Sequence, residues 1–167
     1  SQLKYWRVLA DMVPDAALRP EIMYTLDSSS VMQGQVIRFE TIMENISETD
    51  MDSMLVKYEI VGSGVQITKY ERLAPLPSGD TLHLKTSFPT INLTGSNYQL
   101  LVEINPDMDQ KEKHRFNNVG LLSFQVRRDV TNPLMDVTFD GVHIMNRDIV
   151  SGKPEIVVTL LDENQYL

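Results

Sequence analysis

Between residues 20 and 128, apolar and polar residues alternate in seven separate stretches, and turn signals divide each stretch from the next. This feature restricts the fold more tightly than any other. A period of two puts successive side chains on opposite faces of a strand, and no helix can present that pattern to a core. In "GQVIRFETIMENIS", Ile37, Phe39, Thr41 and Met43 face one way, while Arg38, Glu40 and Glu44 face the other. "SMLVKYEIVGSG" does the same with Met54, Val56, Tyr58 and Ile60 against Lys57 and Glu59. Leu82, Leu84, Thr86 and Phe88 form a third such row, Tyr98, Leu100, Val102 and Ile104 a fourth, and Leu122, Phe124 and Val126 a fifth. "EIMYTL" and "VQITKYERL" are shorter candidates, and the glycines at 62 and 64 mark a hairpin-type turn between two of the strands. Short alternating strands at this spacing predict an all-β, immunoglobulin-like antiparallel β-sandwich of about seven strands. The Cys…Trp…Cys core of antibody domains is missing, so the expectation is Ig-like only.

The flanks read differently. Residues 1–19, "SQLKYWRVLADMVPDAALR", are expected to be a linker or interdomain segment. Its short helix-like stretch is broken at Pro14, and Pro20 closes it. Tyr5, Trp6 and Leu9 would share one helical face, suited to packing on a neighbouring domain or, alternatively, to docking a partner. A boundary is expected at about 129–134, where Asn132-Pro133 interrupts the last strand. Beyond it, "DVTFDGVHIMNRD" reads as a hairpin turning at Asp140-Gly141, and "KPEIVVTLLDEN" as a further strand. Residues 129–167 are too few for a second sandwich, and are expected to be the start of a truncated following β domain. The chain therefore reads as a piece of a longer protein, with any targeting signal outside it.

Composition excludes several kinds of function. The net charge is −8 and no basic cluster occurs, so phosphate backbones and anionic membrane surfaces would repel the chain. No cysteine is present, which removes disulfides, thiolate nucleophiles and cysteine-based zinc sites. No apolar run approaches the roughly 18 residues that a membrane helix needs. There is no Gly-x-Ser-x-Gly elbow and no phosphate-cradling glycine loop. His83, His114 and His143 lie in three different segments, and His83, between Leu82 and Leu84, is expected on an outer face. Glu44, Glu48, Asp50 and Asp52 crowd one loop, read as a solvated turn. Asn45-Ile46-Ser47 and Asn92-Leu93-Thr94 match the N-glycosylation pattern. No catalytic, cofactor-binding or metal residue is assigned on these grounds.

One loop invites a closer look. "INPDMDQKEKHRFNNVG" leaves an apolar strand, stays polar for about ten residues and returns to "VGLLSFQV". Asn105, Asp107 and Asp109 fall at every second position, as oxygen ligands do in many calcium loops. An EF-hand fails here, because Gln110 stands where glycine is required and Phe116 where glutamate is required. A looser calcium site built on Asp107, Asp109, Glu112 and backbone carbonyls is the alternative to a plain strand-to-strand connection. In the plain connection, Asn117 and Asn118 would hold an irregular turn.

The segments Gly34 to Asn45, Leu76 with Gly79, and Tyr98, Asn105-Pro106, Glu112 and Asn117-Asn118 together resemble the CARDB family, the cell adhesion related domain found in bacteria. The resemblance covers roughly residues 20–128. It implies that the 105–118 loop is the polar connection between the last two strands, with the Asn-Asn pair as its anchor. A narrower resemblance runs through "YWRVLADMVPDAALRP", "ENISETDMDSMLVKY" and "TNPLMDVTFDGVHIMNRDIVSGKPEIVVTLLDEN". It is to the region downstream of the peptidase domain in gingipain-like cysteine peptidases and PorU-type sortases of type IX secretion in Bacteroidetes. That resemblance implies a catalytic domain elsewhere in the parent protein and none of its catalytic residues here. The expected function is a non-enzymatic structural or adhesion module at the surface of a Gram-negative bacterium or outside it. Its partners would be neighbouring domains, and a protein or glycan ligand. The rival expectations are a calcium-dependent adhesion domain, and a module docking partners through a sheet edge, as a monomer or a strand-exchanged dimer.

Overall fold

The computed structural model describes residues 11–128, 130 and 132–162. The chain divides after Arg128 into two compact units. Among the described residues the first holds nine strands: β1 (Ala16–Leu18), β2 (Tyr24–Leu26), β3 (Ser30–Met32), β4 (Val36–Asn45), β5 (Leu55–Gly62), β6 (Val65–Arg72), β7 (Thr81–Pro89), β8 (Asn97–Ile104) and β9 (Val119–Arg127). The seven stretches that alternate in sequence are β2 and β4 to β9. Among the described residues there is no helix.

Two sheets result. In the first, β7 runs antiparallel along one side of β4, from Val36↔Pro89 to Glu44↔Thr81. β1 and β2 share the other side of β4, at Leu18↔Met43 and Leu26↔Phe39. In the second, the order is β3-β9-β8-β5-β6. All its pairs are antiparallel except β3 with β9, which are parallel. The N-terminal run of short strands thus changes sheets between β2 and β3. This is the Ig-like sandwich that the alternation predicts.

The inner faces meet in one core. Ile37, Phe39 and Met43 come from β4, and Leu84 and Phe88 from β7. Opposite them stand Val56, Tyr58 and Ile60 of β5, Leu100, Val102 and Ile104 of β8, and Phe124 and Val126 of β9. Burying a large side chain of this kind contributes about 1.5–3 kcal/mol, so these rows dominate the stability of the unit. Tyr24 ties the sheets together at one edge. Its ring meets Phe39 edge-on at 5.4 Å and lies over Gly120 of β9, where a Cβ would stand 2.8 Å from Tyr24 Cε2. The β5–β6 turn places Ser63 at φ 50° and Gly64 at φ 78°, the two left-handed residues of a tight hairpin.

Two expectations need correction, the linker reading of residues 1–19 and the count of about seven strands in the sandwich. The segment 1–19 is not wholly a linker. Ala16, Ala17 and Leu18 are buried and form β1, paired with the end of β4. Ala-Ala-Leu is apolar at every position and shows no alternation, which is why the sequence concealed it. β3, Ser-Val-Met, follows a run of serines that reads as a turn, and it escaped notice too. Tyr5, Trp6 and Leu9 lie outside the described residues.

The second unit holds β10 (Leu134–Phe139) and β11 (Ile156–Leu161), an antiparallel pair from Leu134↔Leu161 to Phe139↔Ile156. Asp140 and Gly141 do turn the chain, at φ 49° and 76°. The residues just after the turn give only an isolated bridge, Phe139↔Val142, and the strand partner of β10 is β11. Asp140 fixes this closure, since its amide donates to Glu155 O at 2.8 Å and its Oδ1 accepts from the Glu155 amide at 2.8 Å.

Candidate functional site

β8 runs out of the core at Ile104, and the next residue, Asn105, takes a left-handed φ of 53°. Asparagine tolerates that region because its short amide can bond locally. Its amide here is fully occupied. Asn105 Nδ2 donates to Gln110 O at 2.7 Å and to Glu112 Oε2 at 2.8 Å. The same carboxylate oxygen accepts from Asn118 Nδ2 at 2.6 Å, and Glu112 Oε1 accepts from the Ala16 amide at 3.1 Å. Glu112 is therefore a hub that joins both ends of the loop to β1. Burial pushes its carboxyl above the usual glutamate range, and nearby Asp15 adds to the rise, while the Asn105, Ala16 and Asn118 donors oppose it.

The loop is sewn to the N-terminal segment at further points. Asp15 is buried, its Oδ1 accepts from the His114 amide at 3.1 Å, and its Oδ2 meets His114 Nδ1 at 2.8 Å. Lys113 donates its amide to Pro14 O at 3.1 Å, and Leu18 donates to Asn117 O at 3.0 Å.

A second polar knot closes the end of β4. Asn45 is buried, and its Nδ2 donates to Thr49 O at 2.8 Å and Leu76 O at 3.1 Å. Its Oδ1 accepts from Ser47 Oγ at 2.7 Å. The Gly79 amide donates to Asn45 O at 2.9 Å, with Gly79 at φ 76°. Asp50 Oδ1 accepts from the Ser78 amide at 2.9 Å. A glycan on Asn45 would have to displace this network, so the sequon there marks a structural asparagine. The two knots flank β1: Ala16 bonds to Glu112, and Asp15 O accepts from the Ile46 amide at 2.9 Å.

The residues proposed as calcium ligands go to different places. Asn105 turns into the loop, Asp109 Oδ2 meets Arg72 Nη1 at 2.5 Å, and Glu112 faces the amides of Asn105 and Asn118. Asp107 is exposed and makes no hydrogen bond or ion pair among the described residues. Among those residues no three His, Cys, Asp or Glu side chains are grouped to hold a metal. The histidines stand apart from one another, each beside a different carboxylate. His83 Nε2 lies 2.9 Å from Glu40, and His143 Nδ1 lies 3.3 Å from Asp136.

No protein-family model matches the chain, and no curated protein does. Solved structures do. A crystal structure of the CARDB domain of a Pyrococcus furiosus protein, in complex with di-metal ions, superposes with a TM-score of 0.56 and 17% identity. The match covers 71% of this chain and 97% of that one. The fold is that of a CARDB domain. A domain of a protein assigned to the cell surface of Methanosarcina acetivorans gives a TM-score of 0.52 at 20% identity, covering 70% of this chain and 94% of that one. In this CARDB-type sandwich, six of the residues that carried the sequence resemblance cluster at one end: Asn45, Leu76, Gly79, Asn105, Glu112 and Asn118. They are the parts of the two knots. Asp15 was missed, because nothing in the segment around Pro14 signals a long-range partner.

Proposed function

We propose that the chain is a non-catalytic, Ig-like structural and adhesion module of a larger secreted or cell-surface bacterial protein, one that positions neighbouring domains. One observation carries the reading. The polar side chains that hold the base of the 105–118 loop, Asn105, Glu112 and Asn118, point at backbone and at one another rather than at an open cleft. The CARDB-type fold supports it. On the sequence resemblance alone, the parent would be a gingipain-like cysteine peptidase linked to type IX secretion in Bacteroidetes. The test is incubation of the chain with peptide substrates. No turnover is expected, and hydrolysis abolished by a single substitution would overturn the reading.

A second reading, calcium-dependent adhesion, is favoured by the exposed and unpartnered Asp107 beside Asp109. The metal-bound Pyrococcus furiosus neighbour makes it worth a direct test. Thermal melts in EDTA and then in millimolar Ca²⁺ decide between the two. A ligand that binds only the folded state raises the melting temperature by mass action, so a structural loop gives no shift and a calcium site gives a rise of several degrees.

A further inference from the structure

The second sheet carries a groove of about 860 Å³ at the end opposite the polar knots, across β3, β9, β8 and β5. Its polar walls are Ser29, Ser30, Asn97, Gln99, Ser123 and Gln125. The ladder sets these in two rows. Ser30 and Asn97 both lie opposite Gln125, and Gln99 lies opposite Ser123. Neighbouring strands stand about 4.8 Å apart, so hydroxyls and amides recur across the groove at roughly the length of one sugar ring.

Not one lining residue is charged, although 23% of the chain is Asp, Glu, Lys or Arg. An anionic ligand would find no cation there, and a cationic ligand no carboxylate. An apolar ligand would bury hydroxyls and amides without partners, which is costly. The side chains of Ser29, Ser30, Gln99 and Ser123 make no hydrogen bond among the described residues, so they are free to bond a ligand. Gln125 Nε2 reaches Asn97 Oδ1 at only 3.3 Å, a contact easily exchanged. The floor is firmly set. Tyr98 and Phe124 stack beneath it with ring centroids 5.7 Å apart. Gly62 presses so close that a Cβ would stand 2.5 Å from Asn97 O.

We propose that this groove binds neutral oligosaccharides, whose hydroxyls both donate and accept as its serines and amides require. The inference rests on the adhesion reading above and names its ligand class. The test is an NMR titration of the full chain with maltohexaose, cellohexaose and xylohexaose at millimolar concentration, with polygalacturonate as an acidic comparison. At least one neutral probe should shift the amides of residues 61–62, 97–99 and 123–125. Gln99→Ala should weaken that binding roughly tenfold, equivalent to about 1.4 kcal/mol. Gln99 is exposed, so this variant keeps the fold, and Ser123→Ala provides an independent check. No shift with any neutral probe overturns the proposal. So do shifts confined to other surfaces, or equal binding of polygalacturonate. Such a failure leaves the non-catalytic reading standing, because peptide hydrolysis decides that one separately.

Discussion

Asn45 and Asn105 each close a core strand at the same end of the sandwich, yet the two knots are built on different principles. Asn45 works with neutral partners near at hand: Ser47, Thr49 and the carbonyl of Leu76. Asn105 works through a half-buried carboxylate, and Glu112 in turn reaches Ala16, 96 residues away in sequence. A neutral knot trades one dipole for another at little desolvation cost. A charged hub forms stronger hydrogen bonds, but it also has to be taken out of water, and the raised protonation range of Glu112 records that penalty. The first knot shapes a turn. The second fastens a separate segment of chain to the sandwich.

This difference is open to test, and the largest effect is expected at the hub. Glu112→Ala should leave Asn105, Asn118 and the Ala16 amide without their acceptor and lower stability by about 3–4 kcal/mol, measured by urea denaturation. The loss should extend to β1, so hydrogen exchange at Ala16 to Leu18 should quicken more than exchange in β5 or β8. A variant that weakened only the 105–118 loop would show that the hub does not hold β1.

Asn45→Ala should cost less, about 2 kcal/mol, because its partners are neutral, two carbonyls and a hydroxyl. Its exchange signature should stay within residues 45–51 and 76–80 and spare β1.

The third expectation separates the knots by pH. The Glu112 carboxyl binds its proton more tightly in the folded state than in the unfolded one. That contribution is present in full below the ordinary glutamate value of 4.5 and is lost as pH rises through the raised value. The stability gap between the wild type and Glu112→Ala should therefore narrow as pH climbs from below 4.5 to neutral. The gap for Asn45→Ala should stay flat, since no carboxylate bonds to the Asn45 side chain. Equal pH dependence in the two variants would remove the distinction between a charged hub and a neutral turn.

The smallest effect is expected at Asp109. Its pairing with Arg72 is solvent-exposed, and Asp109→Ala should change stability by under about 0.5 kcal/mol. A loss of several times that amount would give the exposed half of the loop a structural weight that its geometry does not suggest.

The sequence was most legible where many residues repeat one instruction. β4, β5, β7, β8 and β9 are long enough for alternation to declare both their existence and their inward faces. The resemblance picked out Asn45, Asn105, Glu112 and Asn118, but as positions in a pattern and not as partners. The spacing of Asn105, Asp107 and Asp109 suggested convergence, whereas Asn105 turns into the loop with a left-handed φ, Asp109 pairs with Arg72, and Asp107 stays in solvent. The turn at Asp140-Gly141 was readable, but its strand partner was not, because a turn fixes direction and not how far the chain travels before it returns.

The sequence by itself determined the class of fold and the residues of the core, since a period of two is a local property and burial of one face follows from it. Only the tertiary structure decided that Ala16 to Leu18 is a strand, that Asp15 serves His114, that Glu112 joins the two ends of a loop to β1, and that polar residues of three strands line one uncharged groove. Each of these depends on which distant segments lie side by side. That arrangement is set by the packing of the whole chain, and no local period encodes it.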